Sequence, residues 1–464
     1  MFMARKVTIS KEVILEAALK MLIRINEEGL LCHKALNDPI RDSLSEADRS
    51  FFAKLVRGTL ERMVTCDKIL SHKTGKPVSK QKPFIRNLLR MGCYQLLFLS
   101  AVPASAVCNE AVKAAKKAGF TGLSGFVNGV LRSLSREITE VGSPQAYLAA
   151  FEAGLCGNQL TSFRYSVPDK WVRYYETNYK AEAEDMFRAF LTEPGTAIRL
   201  NKSRGTAEEL LSLLQKDGID AEPGMLPNSF RIRGGNIAGT DAYKRGLFSV
   251  QDESSCLCGN ILPLKAGMKV LDVCAAPGGK TLHVLDELSV LGGGTVQSED
   301  ISKEKLTLLQ NEAERLGFSV SVKQHDATVF EPSYEEAFDI VLCDLPCSGL
   351  GVIGRKPDIK DKTDPADIKA LAAIQQSILE AAVRYVKPGG YLCYSTCTIT
   401  KEENDERADS ILKNGFTASH FSERVPERLR HRYHDGRLQL FPQDGTDGFF
   451  TALFQKNGES DGQN

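Results

Sequence analysis

The chain has 464 residues, enough for two or three domains each with its own core, and its 59 Lys and Arg balance 59 Asp and Glu. A net charge of zero by itself argues against a nucleic-acid partner, and no apolar run is long enough to span a bilayer. The 12 cysteines are not needed as staples in a chain of this length, and Met1-Phe-Met-Ala-Arg-Lys6 has no signal-peptide pattern, so reduced thiols in the cytoplasm are expected.

From Ser10 to about Glu140 the pattern is helical. Ile14, Ala17, Ala18, Met21 and Leu22 recur at spacings of three and four, as do Phe51, Phe52, Leu55, Val56 and Leu60 after the cap-like Ser45-Glu-Ala-Asp48. Leu88, Leu89, Met91, Leu96 and Leu97 mark the most apolar helix, which ends before Pro103. These segments predict an all-α domain over 1–140. The zero net charge hides an asymmetry, since residues 1–160 carry 23 Lys and Arg against 14 Asp and Glu. Between Lys68 and Lys117 ten basic residues face a single acidic one, Glu110. A local field of that kind attracts a phosphate backbone.

Residues 141–245 read as a linker followed by a small α+β module. Pro168, Trp171, Pro194 and Arg233-Gly-Gly-Asn-Ile-Ala-Gly239 punctuate this stretch. The strand pattern Thr196 to Asn201 precedes the helical Ala207 to Leu214, and this unit, with Arg199, Lys202 and Arg204 nearby, is either a module that holds RNA or a packing subdomain, two readings the sequence leaves open. From 246 to 456 strands and helices alternate as in a doubly wound α/β fold, and 457–464 is a polar tail. Strands are expected at Val270 to Val273, Thr295 to Glu299, Val320 to Lys323, Ile340 to Asp344 and Tyr391 to Ser395, with a final pair near Ala418 and at Gly448 to Phe454. Helices are expected at Lys303 to Leu316 and Asp367 to Val386.

Three motifs stand at the ends of these strands. Lys269-Val-Leu-Asp272-Val leads into the turn Cys274-Ala275-Ala276-Pro277-Gly278-Gly279-Lys280-Thr281, where paired glycines let a ligand approach the backbone at a helix start. Asp344-Leu-Pro-Cys347-Ser-Gly-Leu-Gly351 and Tyr394-Ser-Thr-Cys397-Thr each close a buried strand with a cysteine. Both thiols are thereby delivered to the C-terminal edge of a parallel sheet, where open α/β sheets bind ligands. A thiol there is a candidate nucleophile, and a pair suggests that one forms a covalent bond while the other helps to break it.

In this order, the three motifs resemble those of the RNA cytosine-5 methyltransferases that use S-adenosylmethionine, and the N-terminal third is similar to the RNA-binding helical fold of NusB. The resemblance implies a multidomain protein with a NusB-like all-α domain, a small α+β middle module and a Rossmann-like class I methyltransferase domain. It further implies RNA of the small ribosomal subunit as partner, with no membrane and no obligatory protein partner. By the motif match Cys397 is the nucleophile, Cys347 the base or release group, and Asp344 the carboxylate at the cytosine edge. Cys274 to Lys280 would line the methionine end of S-adenosylmethionine. Asp300, with Glu299 as its neighbour in competition, would hold the ribose, and Asp326 would lie near the adenine.

The chemistry requires such a site. Carbon 5 of cytosine is a poor nucleophile until a thiolate adds at carbon 6, and a free thiol of pKa about 8.5 must be activated by its surroundings. Arg355-Lys356-Pro357-Asp358 is a candidate for contacts to phosphates flanking a flipped base, or else a solvent loop. Asn404 is a candidate brace of the Cys397 loop or a helix cap. Two other readings compete with the resemblance. A P-loop nucleotide hydrolase fits Gly279-Lys280-Thr281 but needs glycine where Cys274 stands, and Pro277 removes a donor. A non-catalytic RNA-binding protein would keep the fold without the chemistry. Zinc held by Cys343, Cys347, Cys393 and Cys397 is disfavoured, because Cys343 and Cys393 lie inside strands and no metal is expected.

Overall fold

The computed structural model describes residues 11–37, 44–100, 102–192 and 195–458. Ser10, Pro194 and most of the 457–464 tail therefore lie outside the described residues. The chain forms two compact units, one of residues 1–191 with 356–362 and one of residues 192–355 with 363–464.

The first unit is helical. Its centre is the helix Pro83–Phe98, which Pro83 opens in its first turn and whose Leu88, Leu89, Cys93 and Leu97 are buried among Leu22, Phe52, Leu55, Val127 and Leu131. The unit does not stop at residue 140. Helices Pro144–Glu152, Gly157–Tyr165, Asp169–Tyr179 and Ala183–Phe190 continue it to Leu191. The prolines that punctuate this stretch in sequence start helices: Pro144 occupies a first turn behind the Ser143 cap, and Pro168 precedes Asp169–Tyr179.

Residues 356–362 complete the helical unit from a distant part of the chain. Asp358 accepts from Cys32 N at 3.1 Å, Trp171 Nε1 donates to Lys360 O at 2.9 Å, and Lys360 Nζ donates to Glu61 O at 2.6 Å. Trp171 is fully buried, an arrangement that contributes about 1.5–3 kcal/mol for a large apolar side chain. Burial pulls the Lys360 ammonium down to about 8 and pushes the neighbouring Asp361 carboxyl up to about 6. The segment is therefore no solvent loop.

The second unit begins with an antiparallel sheet of β1 (Thr196–Leu200), β2 (Asp220–Pro223), β3 (Ser229–Arg233) and β4 (Phe248–Val250), in the order β2-β3-β1-β4. Because β4 pairs with β1 (Ile198 with Val250), the module runs past residue 245. Three of its basic residues have protein partners in the following domain. Arg199 Nη1 lies 2.7 Å from Asp286, Lys202 Nζ 2.6 Å from Glu287, and Arg204 Nε donates to Leu316 O at 3.0 Å. These three side chains bind the module to the following domain, which leaves Arg199 only 4% exposed.

The large sheet contains β5 (Lys269–Asp272), β6 (Thr295–Asp300), β7 (Ser321–Gln324), β8 (Phe338–Asp344), β9 (Val386–Thr396), β10 (Phe416–Ala418), β11 (Tyr433–His434), β12 (Arg437–Leu440) and β13 (Phe449–Lys456). Among the described residues the order is β11-β12-β13-β9-β8-β5-β6-β7, with β10 on β13. Strands β5 to β9 pair in parallel, and β13 runs antiparallel to β9. The helices between them follow local chemistry: Ser302 caps Lys303–Leu316, which Gly317 ends, and Asp364 with Asp367 forms a capping box on Pro365–Tyr385. The consequence for function lies in the order β9-β8-β5, which sets the ends of the strands closing in Ser395, Asp344 and Asp272 side by side.

Candidate active site

The loop after β5 turns between two strand ends. Ala275 N donates to Glu299 O at 2.7 Å and Ala276 N to Asp300 Oδ2 at 3.3 Å, so the loop is hung from the end of β6. The Ala276–Pro277 bond is cis, and Gly278 holds φ +115°, where an added Cβ would lie 2.8 Å from Leu309. Only glycine fits there, and the helix Gly279–Leu291 starts directly after it. Burial pushes the Asp272 carboxyl, which accepts from Thr281 Oγ1 at 2.8 Å, up to about 7.

The two acidic residues closing β6 divide their tasks. Glu299 is buried and accepts from Tyr334 Oη at 2.6 Å, a contact within the core. Asp300 points to the loop side, its Oδ1 taking Ser302 N at 2.8 Å. Asp326 is exposed after β7, and Thr328 donates to its Oδ1 from Oγ1 at 2.7 Å and from N at 3.0 Å. A loop shaped for close backbone approach, with an acidic strand end beside it, fits a nucleoside cofactor carrying an amino-acid tail. Cys274 to Lys280 and Asp300 are the candidate residues to hold it.

Lys280 does not wait for a phosphate. Its Nζ lies 2.6 Å from Asp344 Oδ2 and donates to Ser255 Oγ at 3.2 Å, above the Phe449 ring. Burial pulls the ammonium down, but the charge and hydrogen bond of Asp344, with the charges of Cys258 and Asp272, together outweigh it and hold the group above its ordinary value. Asp344 Oδ1 takes Ser395 Oγ at 2.8 Å, which pins the carboxylate between two strands. The free lysine that a P-loop uses is therefore absent here.

Cys347 and Cys397 come together, sulfur to sulfur at 3.3 Å, both half-buried. The hydrogen bond shared with Cys397, then burial and the charges of Cys397 and Glu403, push the Cys347 thiol well up. Gly351 locks the pair of loops: its N donates to Cys397 O at 3.1 Å, its O accepts from Gly448 N at 2.9 Å, and a Cβ there would collide with Gly448 O. Cys343 and Cys393 are buried within β8 and β9, Cys393 with its sulfur 3.8 Å from Thr451 Oγ1.

Arg355 is committed to two carboxylates, Asp252 at 2.6 Å and Asp447 at 2.7 Å, partners that its sequence neighbourhood does not announce. Of the two roles open to Asn404, the structure selects the brace. It donates to Thr398 O at 3.1 Å and accepts from Thr396 Oγ1 at 2.5 Å, and its side chain makes no helix cap. Glu403, fully buried beside it, takes hydrogen bonds from both thiol loops, a role that sequence reading missed. The run Lys401-Glu402-Glu403-Asn404 reads as a polar helix start, and nothing local reveals those partners.

A mixed sheet of this order, with a glycine loop at β5, an acidic end at β6 and reactive side chains at β8 and β9, defines a Rossmann-like methyltransferase with two preceding modules. A model of the 16S rRNA methyltransferase RsmB/F family matches residues 260–455, one of the NusB family residues 13–136, and one of an RsmF/B-like ferredoxin-like domain residues 167–236. The probable ribosomal RNA small subunit methyltransferase B of Bacillus subtilis strain 168 is 37% identical over 457 residues, covering 97% of this chain and 100% of the relative. Its counterpart in Synechocystis is 33% identical, covering 89% and 92%. The chain belongs to the RsmB/F family of S-adenosylmethionine-dependent ribosomal RNA methyltransferases. Among solved structures, that of PH0851 aligns at TM-score 0.79 and 23% identity over 97% of this chain and 100% of its own. NSun6 from Pyrococcus horikoshii with SFG aligns at 0.55 and 21% over 62% and 98%. Both share the fold. No described helix is long and apolar enough to cross a membrane.

Proposed function

We propose that this protein methylates carbon 5 of a cytosine in small-subunit ribosomal RNA through a covalent bond from Cys397 to carbon 6. The observation that carries the reading is the pair of thiols 3.3 Å apart beside the Lys280–Asp344 ion pair, at the same sheet edge as the cofactor loop. The bound S-adenosylmethionine supplies an electrophilic methyl group. Everything else falls to the chain's own residues.

Cys397, as thiolate, adds to carbon 6; the sulfur–carbon bond forms, and the carbon 5–carbon 6 electron pair becomes available at carbon 5. The Asp344 carboxyl group, fixed by Lys280 and Ser395, accepts from the exocyclic amine as a carboxylate or, when it carries a proton, donates to the ring nitrogen, where charge changes during the addition. After methylation, carbon 5 must lose its proton so that the electrons expel Cys397 and restore the ring. Cys347 is the group placed to take it. In the free enzyme the hydrogen bond shared with Cys397, then burial and the charges of Cys397 and Glu403, hold its thiol up. Once Cys397 is a neutral thioether its share of that influence is gone, which eases ionisation of Cys347 and lets it act as a strong base.

RNA is held in this reading partly by exposed lysines of the helical unit. Of the ten basic residues between Lys68 and Lys117, Arg86 pairs with Glu27, Arg90 with Asp67, Lys73 with Glu137 and Lys117 with Glu16, whereas Lys76, Lys80, Lys82 and Lys116 stand exposed. Tritiated methyl transfer to small-subunit RNA, with bisulfite sequencing of RNA from cells with and without the protein, tests the reading. A label that appears on a base other than cytosine overturns it.

A further inference from the structure

Glu403 is an unusual group to find behind a pair of thiols. It is fully buried, and among the described residues no Lys or Arg forms an ion pair with it, although a lone buried carboxylate is costly unless its oxygens are saturated by donors. They are. Ser348 N donates to Oε1 at 2.8 Å and Ser348 Oγ to Oε2 at 2.6 Å, on the loop of Cys347. Thr400 Oγ1 donates to Oε2 at 2.6 Å from the loop of Cys397, and Gln375 Nε2 donates to Oε1 at 3.2 Å while also holding Pro346 O at 2.9 Å. Ser348 Oγ lies 2.7 Å from Thr398 Oγ1, and the Tyr394 hydroxyl donates to the Glu403 carbonyl. One side chain thus ties the residue after Cys347 to the segment after Cys397.

We infer that Glu403 is a positioning residue that holds the Cys347 loop against the Cys397 loop and sets a fixed negative charge behind Cys347. The inference rests on the two-thiol reading of the site. It follows from the donor set. Four donors converge on the two oxygens, two on each, and an amide, with a single accepting oxygen, could not take them all. The charge has a chemical consequence: a carboxylate beside Cys347 favours its protonated form and makes its thiolate the stronger base, as removal of the carbon 5 proton requires.

The test compares Glu403→Gln and Glu403→Asp in the full-length protein, alongside wild type and Cys347→Ala. Glu403→Gln removes the charge and replaces one of the two accepting oxygens with an NH2, so the donors of Ser348, Thr400 and Gln375 can no longer all be accepted. S-adenosylmethionine affinity is expected to stay unchanged, while kcat falls about tenfold or more through misplacement of Cys347. Covalent protein–RNA complex should accumulate on a denaturing gel, and the pH midpoint for its breakdown should move to lower pH. Glu403→Asp should restore that midpoint while leaving the rate below wild type. A Glu403→Gln protein with lower kcat but an unmoved midpoint and no accumulated complex would reduce Glu403 to loop packing and overturn the inference. If wild type and Cys347→Ala themselves yield neither methylcytosine nor a complex, it is the two-thiol reading that has failed.

Discussion

The sulfurs of Cys347 and Cys397 share a hydrogen bond across 3.3 Å, so the proposed nucleophile and its proposed release group are already in contact before substrate arrives. Two thiols this close are also open to oxidation. Hydrogen peroxide converts one to a sulfenic acid with release of water, and the other displaces a second water to close a disulfide. Peroxide treatment should therefore abolish methyl transfer, leave the protein two hydrogens lighter with Cys347 and Cys397 linked in peptide mapping, and be reversed by a thiol reductant. Inactivation without that linkage would show that the pair does not react together.

Cys397→Ala should abolish methyl transfer and leave S-adenosylmethionine binding intact. Cys347→Ala should behave differently, because addition and methylation still proceed while the carbon 5 proton has no base. A covalent protein–RNA complex should accumulate as a slow band on a denaturing gel and be absent from the double variant. Normal turnover by Cys347→Ala without such a band would leave the release step to another group.

The strands and the two reactive cysteines were legible in sequence because their signals are local. Short apolar runs ending in Asp272, Asp344 and Ser395 carry their own boundaries, and turn residues around Cys347 and Cys397 mark loops. What stayed hidden depends on residues far apart along the chain. Glu403 has its key partner in Ser348, 55 positions away, and Arg355 finds Asp252 and Asp447 from separate elements. Arg199, Lys202 and Arg204 look like an RNA patch because a basic cluster reads the same whether its counter-charge is phosphate or a carboxylate on a neighbouring helix. The helical unit's extension to Leu191 was obscured by prolines that open helices where a linker would also place them.

Asp300→Ala should weaken S-adenosylmethionine binding. A charged acceptor removed from the ribose hydroxyls costs about 1.5–3 kcal/mol, or roughly 10- to 150-fold in affinity. Calorimetric titration reads this directly. Glu299 cannot take over, since its carboxylate is buried against Tyr334. Unchanged affinity would remove Asp300 from the cofactor site.

Replacing Lys76, Lys80, Lys82 and Lys116 together with Gln should weaken RNA binding and flatten its salt dependence. The log–log slope should fall by about 0.7 for each phosphate of single-stranded RNA that a lysine no longer neutralises. All four are exposed, so the helical unit should keep its melting temperature. A slope equal to wild type would mean that this field never meets the RNA.

The last prediction concerns acid. His283 is buried on the helix Gly279–Leu291, and burial, then the Arg199 charge, pull its imidazole down to about 4 from an ordinary 6.5. Between those values the unfolded chain takes up a proton that the folded chain refuses, so stability rises with pH across the window and is lost as pH falls through it. Asp272 acts in the opposite sense: raised from 3.8 to about 7, it gives the folded state the earlier proton and adds stability as pH falls. The two partly cancel in wild type, which makes a difference measurement necessary. His283→Gln keeps a buried polar group that does not titrate and leaves Asp272 in place. The stability of wild type relative to this variant, from urea unfolding of the second unit, should drop by about 2 kcal/mol between pH 6.5 and 5.0. A difference that stays constant over that range would show that His283 titrates normally in the folded protein.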